Sequence, residues 1–153
     1  MNTTRYNVLL VEDDLLSMEL ARRAAAESFP EIDLTVVGGG DAVLDWLNSS
    51  VAGNEQMPHI ILLDLKLPKL DGLAVLRTLR KHGVIMRDVP IVVFSEIYTQ
   101  ADVLMSYQVG ANSFVSKPAD LAQFTEFLRE QLAYWLQSRQ YGATVTSAQN
   151  TPG

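Results

Sequence analysis

Ile60-Ile61-Leu62-Leu63-Asp64, continuing as Leu65-Lys66-Leu67-Pro68-Lys69-Leu70-Asp71-Gly72, is the stretch that decides the fold. Four consecutive branched apolar residues leave no polar face, so a strand built from them is buried on both sides. An acid closes the run. A proline and an Asp-Gly pair then interrupt regular structure, and helical apolar spacing resumes over 73–81. A doubly buried strand that ends on a carboxylate and turns into a helix is one unit of a parallel sheet covered by helices.

The same unit recurs on either side. Apolar runs at 6–11, 34–37, 91–94 and 114–115 lack polar alternation. Helical patterns over 15–28, 41–48, 73–81, 99–108 and 121–137 separate or follow them. Alternation with short links implies right-handed crossovers. Five units in this length predict an α/β fold: a flavodoxin-like, doubly wound, five-stranded parallel sheet in strand order 2-1-3-4-5, with helices on both faces. Gly38-Gly39-Gly40 ends the second strand, and Asp41 and Asp120 are expected to cap helices. Residues 48–58 are polar and small and read as a mobile loop. The expected domain covers 5–137. Residues 138–153 have no period and read as a disordered tail, and no second domain is expected.

Composition narrows the function. The chain has 153 residues, 48% hydrophobic and 20% charged, with a formal net charge of -6. Nucleic acid is not an expected direct ligand, because phosphate binding needs a basic face. The absence of cysteine excludes disulfides, thiol catalysis and cysteine-ligated metal. Two histidines, His59 and His82, do not make a zinc site by themselves. The apolar run after the N-terminus is too short for a signal peptide core or a membrane span, so a soluble, cytoplasmic protein without membrane partners is expected.

In an open parallel sheet, ligands bind beyond the carboxyl ends of the strands, where strand order reverses. Strand one ends in Glu12-Asp13-Asp14, strand three in Asp64, strand four in Ser95-Glu96 and strand five in Ser116-Lys117-Pro118. If strands one and three are neighbours, three or four carboxylates converge there. At an effective dielectric of ~20, two unit charges about 4 Å apart repel by roughly 4 kcal/mol. Protonation or a divalent cation must relieve that, and hard oxygen donors suit Mg²⁺. A carboxylate nucleophile, a cation, a lysine and a hydroxyl are the parts phosphoryl transfer needs. Each residue alone has a plainer reading: an N-cap with acidic first turn for Glu12-Asp13-Asp14, a turn residue for Asp64, a cap for Ser95, a solvated lysine for Lys117. Their joint position at the same ends of four strands favours the site.

Val11-Glu12-Asp13-Asp14, the segment from Leu62 to Gly72, and Phe114-Val115-Ser116-Lys117-Pro118 resemble the signature segments of response-regulator receiver domains over about residues 5–137. The resemblance implies that Asp64 is the phosphoacceptor. It makes Asp13 a direct Mg²⁺ ligand, Glu12 a ligand through water, and Lys66 the residue whose backbone carbonyl binds the metal beside Asp64. Ser95 would move to bond the phosphoryl oxygen, Lys117 would pair with the phosphoryl group, and Phe114 would turn inward on activation. The Lys117–Pro118 peptide would be cis. The protein would be a phosphoacceptor switch rather than an enzyme, self-catalysing phosphotransfer and autodephosphorylation only.

Glu96 departs from the pattern, since a small residue is usual after the hydroxyl; Lys66 is expected to offset it. Among these regulators the chain is most similar to the single-domain type that partners phytochrome-type histidine kinases and passes the signal to a downstream protein. Phe127, Tyr134 and Leu136, with Tyr98, Met105 and Tyr107, suggest an apolar patch and a homodimer through helix 4, strand 5 and helix 5. A haloacid-dehalogenase-type phosphatase would need an Asp where Lys66 stands, and a flavodoxin proper would need a hydroxyl- and glycine-rich loop where Glu12-Asp13-Asp14 stands. The remaining alternative is a pseudo-receiver, a phosphorylation-independent interaction module, which only Glu96 favours.

Overall fold

The computed structural model describes residues 5–53, 57–67, 71–82 and 88–136. Strands β1 (Tyr6–Val11), β2 (Ile32–Val37), β3 (Ile60–Asp64), β4 (Ile91–Ser95) and β5 (Ser113–Ser116) alternate with helices α1 (Leu15–Ser28), α2 (Gly40–Gly53), α3 (Gly72–Lys81), α4 (Gln100–Val109) and α5 (Leu121–Gln131). All strand pairs are parallel, in the order β2-β1-β3-β4-β5. This is the flavodoxin-like arrangement expected from the runs of apolar residues.

The period of two divides each strand between two cores. Val8, Leu10, Ile60, Leu62, Val92 and Phe94 face Ala21, Ala24, Phe124, Phe127 and Leu128 of α1 and α5. Leu9, Val11, Ile61, Leu63, Ile91 and Val93 face Val43 of α2 and Val75, Leu76 and Leu79 of α3. Both faces are therefore dry, and the central strands β3 and β4 are buried at every residue.

Several boundaries differ from those read in the sequence. Helix α2 continues through Gly53, so 48–53 is helix rather than loop. Small polar residues cost a helix only tenths of a kcal/mol each, roughly, and do not stop it. The rest of the expected loop includes 54–56, outside the described residues, as is the expected tail. Asp41 lies inside the first turn of α2 rather than capping it. Helix α5 gives way at Leu132 to a π-helical turn, Leu132–Leu136, that places both Leu132 and Leu136 in the core. Phe127 is also core, packed against Phe94 and Phe124. Two of the three α5 residues expected on a surface patch are thus interior, and only Tyr134 is exposed. No helix among the described residues is long and apolar enough to cross a membrane.

Candidate functional site

Parallel pairing of β1 with β3 and of β3 with β4 brings the carboxyl ends of three strands side by side. Glu12 follows β1, Asp64 ends β3 and Ser95 ends β4, and all three are buried. The Glu12-Asp13-Asp14 triplet divides its work. Asp14 is the N-cap of α1, accepting the Ser17 N–H at 2.9 Å and its hydroxyl at 2.8 Å. Those bonds, the backbone one first, hold its carboxyl below the ordinary aspartate range. The plain cap reading is therefore right for Asp14, while Glu12 and Asp13 are left for the cleft.

Lys117 joins the two buried carboxylates. Its Nζ donates to Asp64 Oδ2 at 3.0 Å and lies 2.9 Å from Glu12 Oε1. The second approach is an ion pair outside hydrogen-bond angles, so Glu12 Oε1 has no hydrogen-bond donor. Burial is the largest influence on Glu12 and drives its pKa up to about 7, against the opposing pull of the Asp14 N–H and of Lys117. Burial alone would lower the lysine, but its pairing with Glu12 and Asp64 outweighs that and holds the ammonium above its ordinary pKa. Asp64 Oδ1 accepts the Lys66 N–H at 3.0 Å. Both oxygens of Asp64 are thus oriented by donors.

The turn after Asp64 is tight. Gly72 N–H donates to Leu65 O at 3.0 Å, and a Cβ at Gly72 would overlap the Leu65 backbone. Asp71 caps α3 and pairs with Lys66 across the turn. This fixes the Lys66 main chain beside the site. Its side chain pairs with Asp102 of α4 at 3.3 Å rather than with Glu96, against the expected offset. Glu96 is exposed at the rim and does not fill the cleft.

Ser95 and Phe114 are placed near the site but not in contact with Asp64. The Ser95 hydroxyl donates to Ile97 O at 3.0 Å. Phe114 is half-buried and edge-on to Tyr98, ring centroids 4.8 Å apart, with the Tyr98 hydroxyl 2.6 Å from Ser116 Oγ. The Lys117–Pro118 peptide is trans, correcting the implied cis bond; trans is the lower form for an X–Pro bond by roughly 0.5–1 kcal/mol. Asp102 was missed in the sequence, while Tyr98 and Ser116 were read there as a patch residue and a strand end, not as a pair. Thr99-x-x-Asp102 carries a capping-box pattern that marks Asp102, whereas nothing local marks the Tyr98–Ser116 pair.

The donor set fits a hard cation. Asp13 Oδ1 is buried without a hydrogen-bond partner, like Glu12 Oε1. Both open, with Asp64, Lys66 and Lys117, onto one cleft of about 680 Å³. Among the described residues no three acidic or imidazole groups already close around one point; the Lys117 ammonium sits between Glu12 and Asp64. A buried Asp13 oxygen without a donor, beside the carboxylates of Glu12 and Asp64, is a hard-oxygen set of the kind Mg²⁺ or Mn²⁺ binds.

Comparison with known proteins agrees with this geometry. Residues 8–129 match the family model of the response regulator receiver domain. Response regulator Rcp1 of Synechocystis sp. is 29% identical over 132 residues, 86% of this chain and 89% of its own. The solved Mn²⁺-bound form of Rcp1 has a TM-score of 0.72 at 28% identity, covering 87% of this chain and 96% of that one. The phosphorylated cyanobacterial phytochrome response regulator RcpA has a TM-score of 0.77 at 29% identity, covering 88% and 96%. The bacteriophytochrome response regulator RtBRR has a TM-score of 0.67 at 33% identity, covering 95% of each chain. The chain belongs to the response-regulator receiver domain family of two-component signalling.

Proposed function

We propose that Asp64 accepts a phosphoryl group from the phosphohistidine of a sensor kinase. One observation carries this reading: Asp64 is a buried carboxylate at the mouth of the cleft, with Lys117 Nζ on one oxygen and the Lys66 N–H on the other. A carboxylate oxygen of Asp64 attacks phosphorus, the P–N bond breaks, and the electron pair leaves with the histidine nitrogen. The product is an acyl phosphate that water later cleaves. Lys117 pairs with the incoming phosphoryl oxygens, and the donors already on Asp64 hold it in line for attack. Asp13 and Asp64 directly, Glu12 through water and Lys66 by its backbone carbonyl are the groups that would hold Mg²⁺. Bound there, the ion neutralises charge on the transferring oxygens. Ser95 would leave Ile97 O for a phosphoryl oxygen, and Phe114 would follow it inward. The likeness to the phytochrome response regulators RcpA and RtBRR favours a phytochrome-type histidine kinase as donor, and the net charge of -6 disfavours direct nucleic-acid binding. A downstream protein, or a second copy docked on the α4–β5–α5 face, would read the switch. The receiver domain is proposed to span 5–137.

Incubation with acetyl phosphate and Mg²⁺ should add one phosphoryl mass to wild type and none to Asp64→Asn, and EDTA should abolish the addition. Label on another residue, or none from any donor or kinase, would instead favour the pseudo-receiver.

A further inference from the structure

We propose that Lys66 is a positioning residue that ties helix α4 to the state of Asp64: its ammonium holds Asp102 in the unmodified protein and shifts to the phosphoryl group when Asp64 is modified. This rests on Asp64 being the phosphoacceptor. The Lys66 main chain is tied to that residue, because its N–H donates to Asp64 Oδ1. Its side chain lines the same cleft as Asp64, Glu96, Ile97 and Lys117, and its Nζ lies 3.3 Å from Asp102 Oδ2.

Asp102 sits in the first turn of α4, which Thr99 caps. Its Oδ2 accepts the Thr99 N–H at 2.9 Å, while Thr99 Oγ1 accepts the Asp102 N–H at 3.1 Å, a reciprocal capping box. The Asp102 carbonyl also accepts the Ser106 hydroxyl at 2.8 Å. The Lys66 charge therefore acts on the group that closes the first turn. Burial does little to secure that turn, since Ser106 is the only buried residue of α4.

The charge balance gives the direction. Among the described residues, Lys66 and Lys117 are the two cations lining the cleft, and Lys117 already faces Glu12 and Asp64. A phosphoryl group adds about -1.5 to -2 units of charge. Lys66, whose side chain is exposed, is the described cation left to answer it, and Asp102 is the partner it gives up.

Amide hydrogen exchange across 99–105 in the full chain tests this, with and without beryllofluoride and Mg²⁺. In wild type, beryllofluoride should speed exchange about two- to fivefold, the range an exposed ion pair supplies. Lys66→Met should exchange that much faster before any addition and respond little afterwards. Asp102→Asn keeps an oxygen for the Thr99 N–H but loses the charge, and should match it. Lys66→Arg should restore wild-type behaviour, which a merely structural contact of the lysine stem would not require. Basal exchange in Lys66→Met equal to wild type, or a full response to beryllofluoride, would overturn the tie. Modification is read separately by mass after acetyl phosphate treatment. Wild type that takes no phosphoryl group would overturn the phosphoacceptor reading, whereas normal modification with unchanged α4 exchange would overturn only the role of Lys66.

Discussion

Helices α4 and α5 follow one another around the β5 edge, yet they are attached by different physics. Helix α5 and its π turn bury Phe124, Phe127, Leu128, Leu132 and Leu136, and the rings of Phe124 and Phe127 meet Phe94 from the sheet or each other. Helix α4 buries only Ser106 and leaves Leu104, Met105 and Tyr107 outside. Apart from Val109, which packs against the core on the α3 side, its ties are polar: the Thr99–Asp102 capping box, the Lys66–Asp102 pair, and Arg80, which donates to Gly110 O just past its end at 2.9 Å. Apolar burial is non-directional and has no alternative partner, so it anchors. Polar ties can be exchanged for others of similar strength, so they switch. A new charge at Asp64, as proposed, would therefore act on α4 and leave α5 in place.

The comparison breaks most visibly in the core. Phe127→Ala should lower stability by about 3–5 kcal/mol, as removal of a fully packed ring does. Leu104→Ala should stay within about 0.5 kcal/mol of wild type. Urea unfolding followed by the fluorescence of Trp46 and Trp135 measures both. A similar loss from the two variants would show that α4 is packed as α5 is.

The buried end of the sheet gives the next largest effect. Glu12 has a folded pKa of about 7 against an ordinary 4.5. The folded state binds the extra proton, so its contribution is fully present below about 4.5 and is lost as pH rises through 7. The metal-free protein should lose up to about 3 kcal/mol across that window. Mg²⁺ prefers the ionised carboxylate, so its stabilisation should grow from pH 5 to pH 8. Glu12→Gln should flatten both trends. Thermal unfolding across pH, with EDTA or with Mg²⁺, checks the sign. The lowered carboxyls of Asp14 and Asp102 act in a separate window, losing their contribution only as pH falls below the ordinary aspartate range.

The sheet and the placement of the site were legible because they rest on strong local signals. Ile60 to Leu63 can only be a doubly buried strand, and Asp64 must then stand at its carboxyl end. The ends of α2 and α5 were not legible, because single-residue propensities differ by less than the packing that overrides them. Phe127 illustrates this: its side went to the core through Phe94 on β4, a contact 33 positions away in sequence that no helical stripe reveals. Lys66 and Asp102 are similarly distant, so the lysine was paired with its nearer neighbour in the cleft, Glu96. The triplet at 12–14 was ambiguous for another reason. Capping and metal binding both call for acids at a helix start, and only the Asp14–Ser17 bonds separate the two uses.

The smallest effect on stability belongs to the α4 surface, and there the difference between the helices bears on assembly. Leu104 is 57% exposed, Tyr107 47% and Met105 41%. Ile97, just before the helix, is 77% exposed and supplies the carbonyl that holds the Ser95 hydroxyl. A group of exposed apolar side chains following a hydroxyl proposed to switch is suited to a contact that forms in one state and not the other. Leu104→Asp with Tyr107→Asp should therefore leave the urea midpoint almost unchanged, unlike any acid placed at Phe127. The same pair should abolish the beryllofluoride-dependent self-association expected of a homodimer on this face. Sedimentation of wild type and the double variant, each with and without beryllofluoride, measures it. A wild type that stays monomeric in every state at high concentration would assign the exposed side chains to a different partner. Association that survives both substitutions would move the dimer contact away from α4.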